Sequence, residues 1–367
     1  MRIILTGGGT AGHINPAIAI GKKIMKENPS AEILYVGTQR GLESELVPKA
    51  GFTFESITVK GFRRRLSMDT FKSIIAMFKG LIEAQRIMKS YKPDMVIGTG
   101  GYVCGPVVFM AALNRIPTLI HEQNAYPGAT NRILSHVVKK IMISYTESSS
   151  FFKQNQKIVY TGNPVRQEFV GVDRQKSRSD LGIDDGQTFL LSFGGSGGAD
   201  RMNRTFMEMI GQFNGASNIR LCHVAGKAYY EKFVRQVRDL YPNLESNVEI
   251  VPYLYDMHTY MGASDLVISR AGAISLAEIA TIGVPSVLIP SPNVANNHQV
   301  FNARVMKEHK AALMIEEKDL DPIGLASEIK RLMDETDTLD NMRENTIQLS
   351  MAEAIERIYE TIIQVVS

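Results

Sequence analysis

"IILTGGGTAGHINPAIAI", residues 3–20, decides the fold. The apolar run Ile3–Leu5 predicts a strand, the glycines at 7, 9 and 12 a tight G-x-G-x-x-G loop, and the residues around Pro16 a helix. Such a loop, backed by a helix N-terminus, holds phosphate with backbone amides and needs no side-chain cation. A dinucleotide site also needs a carboxylate about twenty residues on, at the tip of the second strand. That strand, "LYVGTQRG" (Leu34–Gly41), ends without one. The loop is therefore read as a phosphate cradle for other chemistry, and a nicotinamide oxidoreductase is the least favoured reading. His13 follows the last glycine directly.

The same unit recurs in "LLSFGGSGGAD", residues 190–200, and a third glycine loop lies at Gly98–Gly101. Strand candidates in the first half are "RIILTG", "EILYVGT", "FESITV", "DMVIGT", "PTLIHE" and "KIMISY". In the second they are "TFLLSFGG", "IRLCHVAG", "VEIVPYL", "DLVISRAG" and "PSVLIP". Helical periodicity between these runs predicts an α/β chain of two Rossmann-like, doubly wound parallel-sheet domains, five or six strands each. A length of 367 residues suits two cores. The polar stretch at 171–188 precedes the second opening strand, so the junction falls near Gly162 to Gln187. Ligands are expected at the carboxyl ends of the strands, in a cleft between the two domains.

A formal charge of +3 gives no argument for nucleic acid. Cys104 and Cys222 make no C-x-x-C pair and fit small buried residues in a reducing compartment. No signal peptide is expected, since a strand begins at once. Met95–Asn114 is uncharged and about as long as a membrane span, but the glycines at 98, 100, 101 and 105 make it strand, loop and helix instead.

Seven motifs, in order, carry a resemblance: "GGGTAGHINPA", "GTGGYVCGP", "HEQNAYPGATN", "TGNPVR", "FGGSGGADRMN", "SRAGAISLAEI" and "NNHQVFNA". Together they resemble the MurG family of peptidoglycan glycosyltransferases, from residue 3 to about 305. The family moves N-acetylglucosamine (GlcNAc) from UDP-GlcNAc to the C4 hydroxyl of MurNAc in undecaprenyl-pyrophosphoryl-MurNAc-pentapeptide, converting lipid I to lipid II. The resemblance implies a GT-B fold. Residues 1–163, with a C-terminal helix within 345–367, would form the acceptor and membrane-side domain, and 164–344 the UDP-sugar domain. Two departures stand out: Ala11 and Gly197, where members commonly have glycine and glutamine.

The resemblance also implies roles. Gly9, Thr10, Gly12, His13, Gly100, Gly101 and Tyr102 would hold the acceptor pyrophosphate, with Thr10, Ala11 and Gly12 also near the donor. Ser196 and Arg166 would bind the donor phosphates, a guanidinium being suited to phosphate oxygens. Leu254 would offer backbone groups to the uracil. Gly272, Ala273, Ile274, Ser275, Leu276 and Ala277 would form the turn and first helical turn that lead to Glu278 on the ribose hydroxyls. His298, Gln299 and Asn124 would read the sugar. Two residues compete as catalytic base, His13 and Glu122.

The expected chemistry is an inverting, direct displacement through an oxocarbenium-like transition state, with no metal or other cofactor and activity that survives EDTA. The one Asp-x-Asp, Asp319–Asp321, precedes Pro322 and suits a helix cap better than a metal. A lipid-linked acceptor also implies a membrane surface. Phe62, Arg63, Arg64 and Arg65 are followed by a helical stripe of Phe71, Ile74, Ile75, Phe78, Leu81 and Ile82, a basic amphipathic pattern suited to anionic lipid. A stripe of this kind also suits packing against a sheet. The expected location is peripheral, on the cytoplasmic face of a bacterial plasma membrane, with cell-wall synthesis proteins as partners. The alternative activity is another GT-B nucleotide-sugar enzyme, a glycolipid transferase or a UDP-GlcNAc 2-epimerase-like enzyme. A non-catalytic nucleotide-sugar or lipid-binding protein is a third class.

Overall fold

The computed structural model describes residues 1–61, 68–195 and 198–366. It comprises two compact units, Met1–Val165 with Met351–Ser367, and Arg166–Ser350.

The first unit runs β1 (Arg2–Thr6), α1 (Ala11–Glu27), β2 (Glu32–Gly37), α2 (Glu43–Lys49), β3 (Thr53–Ser56), α3 (Met68–Tyr91), β4 (Met95–Gly98), α4 (Cys104–Leu113), β5 (Thr118–Glu122), α5 (Ala129–Leu134), β6 (Lys140–Ile143) and β7 (Ile158–Tyr160). The second runs α6 (Arg174–Asp180), β8 (Thr188–Phe193), α7 (Asp200–Phe213), β9 (Ile219–Val224), α8 (Tyr230–Leu240), β10 (Val248–Val251), α9 (Met257–Ala263), β11 (Leu266–Ser269), α10 (Ala273–Ile282), β12 (Ser286–Leu288), α11 (His298–Glu308), β13 (Ala312–Met314), α12 (Pro322–Asp334) and α13 (Thr336–Gln348). The last helix, α14 (Ala354–Val366), belongs to the first unit.

Both sheets are wholly parallel. Their orders are β3-β2-β1-β4-β5-β6-β7 and β10-β9-β8-β11-β12-β13. Helices cover both faces, so the strands read as continuous apolar runs rather than alternating ones. In β1 the period of two sends Ile3 and Leu5 to one face and Ile4 to the other. Ile3 and Leu5 join Ile14, Ile20 and Ile24 of α1, while Ile4 joins Ile87, Val107 and Leu134 of α3, α4 and α5. The class agrees with the sequence, but the first sheet has seven strands rather than five or six. β7 and β13 are three-residue edge strands, too short to show a period of their own.

α14 is amphipathic and buries Ile358 and Ile362 against the α1 face of the first sheet. Lys23 of α1 lies between Glu27, at 2.8 Å, and Glu356 of α14. Among the described residues no helix is long and apolar enough to cross a membrane. Since Ile362 is fully buried, Ile362→Ala should cost about 2–5 kcal/mol. Thermal melting reads this, and an unchanged midpoint would detach α14 from the stability of its unit.

Candidate active site

Each sheet reverses strand order once, between β1 and β4 and between β8 and β11. Crossovers leave on opposite sides there, so the carboxyl ends of those strand pairs open a ligand crevice. The glycine loops sit at these points: Gly7–Thr10 and Thr99–Val103 in the first unit, and in the second Arg270–Gly272 and the described residues Gly194, Gly195, Gly198 and Ala199.

In the first unit the two loops interlock. The Gly8 amide donates to Gly100 O at 3.3 Å, and the Thr99 hydroxyl donates to His13 O at 2.7 Å. Gly100 has φ +109°, and a β-carbon there would stand 2.8 Å from His13 Cδ2 and 3.1 Å from Nε2, so the imidazole lies against bare backbone. His13 Nδ1 is 3.1 Å from Gly8 O and 3.2 Å from Thr10 Oγ1. A carbonyl only accepts, so in the neutral ring Nδ1 carries the proton and Nε2 the lone pair. Tyr102 flanks Gly9. Gly9, Thr10, His13, Gly100, Gly101 and Tyr102 are thus brought together, with Ala11 and Gly12 opening α1. Ala11 lies in the helix and not among the left-handed residues, so glycine is not required there.

The Gly9 amide departs from the expectation of a purely ligand-facing loop. It donates to Glu43 Oε2 at 3.2 Å. Glu43 opens α2 and is fully buried, and its other oxygen accepts from the Thr38 amide and hydroxyl at 3.0 and 2.6 Å. Sequence reasoning missed it by seeking a carboxylate at the tip of β2. The acid arrives six residues later and turns inward.

Glu122, at the end of β5, is also buried. One oxygen accepts from the Asn124 amide and side chain at 3.0 and 3.1 Å, the other from Gly128 N at 3.0 Å and Asn131 Nδ2 at 2.8 Å. Four protein donors use its accepting capacity, and the carboxylate shapes the loop that carries Asn124 into α5. Next to it, burial holds the His121 imidazole below its ordinary value, with Nε2 2.9 Å from Gly162 O.

In the second unit Gly272 is the N-cap of α10, and Ala273, Ile274, Ser275, Leu276 and Ala277 lead to Glu278 on the helix. Gly283 (φ +77°) ends the helix in the left-handed conformation usual for glycine. Glu278 Oε1 accepts from Arg166 Nε at 2.9 Å, and the guanidinium lies 4.5 Å over the Phe169 ring. Burial pushes the Glu278 carboxyl up, and Arg166 pulls against that rise. Arg166, expected on the donor pyrophosphate, here neutralises the expected ribose acid. Leu254 is buried after β10, between the more exposed Tyr253 and Tyr255. Asn296 and Asn297 are both left-handed, with φ +54° and +53°, and deliver His298 and Gln299 at the start of α11. Gln299 Oε1 accepts from Ser291 N at 2.8 Å, so its side chain braces the preceding loop. Asn124 belongs to the other unit.

Behind the second glycine loop, His223 is buried between Ser192 Oγ and Asn203 Oδ1, each at 3.1 Å. The Asn203 amide nitrogen donates to Ala225 O, so its oxygen faces the ring and Nε2 carries the proton. Burial pulls this imidazole down to about 3. No sequence motif pointed to it, because a buried polar bridge has no periodic signal.

Ser196, Phe62, Arg63, Arg64 and Arg65 lie outside the described residues, as do the side chains of Phe71 and Ile74. The described members of the expected α3 stripe face outward, Leu81 being half-buried, and a different set of α3 residues faces the core. Ala76, Ala84, Ile87 and Met88 are buried, while Ile75, Phe78 and Ile82 are 54%, 64% and 57% exposed. Exposed Phe109 and Leu113 lie on the neighbouring α4, tied to α3 by reciprocal amide bonds between Gln85 and Asn114. Asp321 caps α12 by accepting from Gly324 N at 2.6 Å.

The chain matches the N-terminal domain of glycosyltransferase family 28 over residues 3–143 and the C-terminal domain over residues 189–358. It belongs to that family. The Acetivibrio thermocellus "UDP-N-acetylglucosamine--N-acetylmuramyl-(pentapeptide) pyrophosphoryl-undecaprenol N-acetylglucosamine transferase" is 47% identical, over 99% of this chain and 97% of the relative. A crystal structure of Acinetobacter baumannii MurG superposes with TM-score 0.80 at 27% identity, over 99% of both chains. A Staphylococcus aureus MnaA–UDP co-structure shares the fold, with TM-score 0.68 at 16% identity over 99% and 96%. The two doubly wound units are therefore those of a GT-B glycosyltransferase.

The burial of Glu278 makes its charge testable. Glu278→Gln should weaken UDP and uridine alike by about 10–100-fold, the scale of a charge-assisted bond lost from a buried site. Calorimetry reads both ligands, and uridine binding as tight as in the parent would remove Glu278 from the ribose.

Proposed function

We propose that this chain is an inverting hexosyltransferase that moves GlcNAc from UDP-GlcNAc to the C4 hydroxyl of MurNAc in undecaprenyl-pyrophosphoryl-MurNAc-pentapeptide, the step from lipid I to lipid II. The observation that carries the mechanism is the His13 imidazole, with Nδ1 3.1 Å from the Gly8 carbonyl, at the junction of two glycine loops. Nε2 is then the nitrogen suited to take a proton from an attacking hydroxyl. Glu122 is a poorer base, because taking a proton would break one of four protein hydrogen bonds in a buried site. We assign Glu122 to positioning Asn124.

In this reading the acceptor pyrophosphate lies on the first unit, near Thr10, Gly12, Gly100, Gly101 and Tyr102. The donor lies on the second, with Glu278 on the ribose, Leu254 at the uracil and His298 and Gln299 toward the sugar. The acceptor O4 forms a bond to the anomeric carbon, the bond from that carbon to the UDP oxygen breaks, and the O4 proton passes to His13. Negative charge grows on the departing diphosphate, where loop amides and the α10 N-terminus stabilise it. This chain's residues supply that stabilisation without calling on a cation.

The test is purified protein with radiolabelled UDP-GlcNAc and a short-chain lipid I analogue, with and without EDTA. Labelled disaccharide-lipid in both conditions is expected. Donor binding without product would point to another acceptor or to an epimerase. His13→Ala should lower kcat by about 10²–10⁴-fold, the usual worth of a general base, with the Kd for UDP-GlcNAc unchanged. Near-parental turnover would take His13 out of that role, and a matching loss in Glu122→Gln at undiminished thermal stability would put Glu122 there.

We also propose that the outward face of α3 and α4 meets the membrane that carries the acceptor. Exposed Ile75, Phe78, Ile82, Phe109 and Leu113 lie among the exposed cations Lys79, Arg86, Lys89 and Arg115, a pattern that suits insertion beside anionic headgroups. Phe78→Glu with Ile82→Glu should reduce co-sedimentation with phosphatidylglycerol vesicles several-fold and leave turnover of a soluble acceptor analogue intact. Unchanged partitioning would remove this face from the proposal.

A further inference from the structure

Glu43 has no part in the roles assigned above, yet it is a fully buried carboxylate beneath the first glycine loop. Among the described residues it makes no ion pair, and its hydrogen-bond donors are neutral: Thr38 N, Thr38 Oγ1 and Gly9 N. The Gly9 N–H and the Gly8 C=O belong to one peptide group. That group donates through its nitrogen to Glu43 Oε2 at 3.2 Å and accepts through its oxygen from His13 Nδ1 at 3.1 Å. Carboxylate, peptide and imidazole form one hydrogen-bonded line.

We propose that Glu43 is a positioning residue for His13, acting through the peptide bond between Gly8 and Gly9. The inference rests on the reading of His13 as the base. A carboxylate accepting from the amide polarises the peptide and makes its carbonyl a stronger acceptor, as hydrogen-bonded chains do in a low-dielectric interior. The carbonyl then holds the Nδ1 proton more firmly and favours the imidazolium that forms when Nε2 takes a proton. A carboxylate that touches a histidine directly does the same work. Here the peptide stands between them and keeps the carboxylate away from the loop surface, where a second negative charge would repel an acceptor phosphate. The glycines permit this arrangement. A β-carbon at Gly8 would stand 2.6 Å from Glu43 Oε1, and Gly9 turns with φ +84°.

Among the described residues, two other titratable groups bonded to these loops are uncharged near pH 7. The Tyr35 hydroxyl of β2, which donates to Gly7 O at 2.7 Å, is driven well up by burial. Burial likewise takes the Cys104 thiol of α4, bonded to Gly100 O and Thr6 O, to about 12. The Tyr102 ring flanks Gly9. Charges on α1 itself begin only at Lys22 and Lys23, more than two turns along from His13. Among the described residues, Glu43 is the charged side chain hydrogen-bonded to this peptide.

The test compares Glu43→Gln, which removes the charge at nearly constant volume, with Glu43→Asp, which keeps it. In Glu43→Gln the acid limb of the kcat–pH profile should move down by about 0.5–1 unit and the kcat plateau should fall about tenfold. The sign follows because a carboxylate favours the protonated ring, so its loss leaves a weaker base. KM for UDP-GlcNAc should stay unchanged, and Glu43→Asp should restore the limb toward the parent. Melting curves report whether either variant folds. A measurement on the parent needs no variant: nitrogen-15 NMR of the His13 ring should show the Nδ1–H tautomer at neutral pH. An Nε2–H tautomer, or a folded Glu43→Gln protein with its acid limb and His13 titration in place, would overturn the proposal. Full turnover in His13→Ala would instead overturn the reading of the base, and NMR would still report whether Glu43 sets the His13 titration.

Discussion

The parallel pairing of β1 with β4 is the constraint on which the first unit's site depends. Thr6 and Gly98 are register partners, so both strands end at the same level and their loops must share one narrow space. The Thr99 amide bonds Thr6 O at 2.9 Å, the Thr99 hydroxyl reaches His13 O, and the Gly8 amide reaches Gly100 O. At Gly101 a β-carbon would run into the Gly8 backbone, at Gly7 into Thr99 and the His13 carbonyl, and at Gly8 and Gly100 into the Glu43 and His13 side chains, which is why all four are glycines. In the second unit Phe193 and Ser269 pair in the same way across β8 and β11. A loop whose shape is forced by strand register presents its amides and its histidine in a fixed direction, as a preorganised site requires.

Three buried carboxylates show how one residue type is put to different uses. An isolated buried charge is expensive, and each is stabilised in its own way. Among the described residues Glu43 and Glu122 are held by neutral donors, and each ties together separate segments of backbone. Glu278 has a guanidinium partner, Arg166, which is itself half exposed over Phe169. Replacing a partner with solvent access requires less rearrangement than dismantling the three internal bonds of Glu43 or the four of Glu122. That difference supports the proposed placing of Glu278, rather than the other two, at ligand hydroxyls. The other two are suited to hold shape.

The two-unit α/β architecture was legible because the strands of a doubly covered parallel sheet are apolar throughout, and each glycine loop marks a strand end. The short edge strands β7 and β13 were not, since three residues show no period. At the site, the sequence placed His13, Gly100, Gly101 and Glu278 in motifs because their neighbours are compositionally unusual. It could not rank His13 against Glu122, because ranking them needs the count of donors around each group. Glu43 lay unnoticed in "RGLESELV", which reads as an ordinary acidic helix start. Its burial arises from tertiary contact with Gly9 and Thr38, which local sequence does not encode. The apolar stripe of α3 was visible too, but only burial shows that Ile75, Phe78 and Ile82 face outward while Ala76, Ala84, Ile87 and Met88 face the core.

Three histidines complete the physical picture. His121 and His223 have ring nitrogens committed to internal partners and are held neutral by burial, His223 down to about 3. A ring in that condition cannot accept a proton near neutral pH without breaking the contacts that place it. His13 differs in position rather than in chemistry. It sits half buried at a loop, its Nδ1 directed into the fold and its ring laid against the bare backbone of Gly100. Proton uptake at Nε2 leaves the Nδ1 bond to Gly8 in place and strengthens it. A base that gains from its support as it becomes charged lowers the barrier, whereas one that must first lose its support raises it. That asymmetry is the physical ground for proposing His13, rather than Glu122 or the other two histidines, as the base.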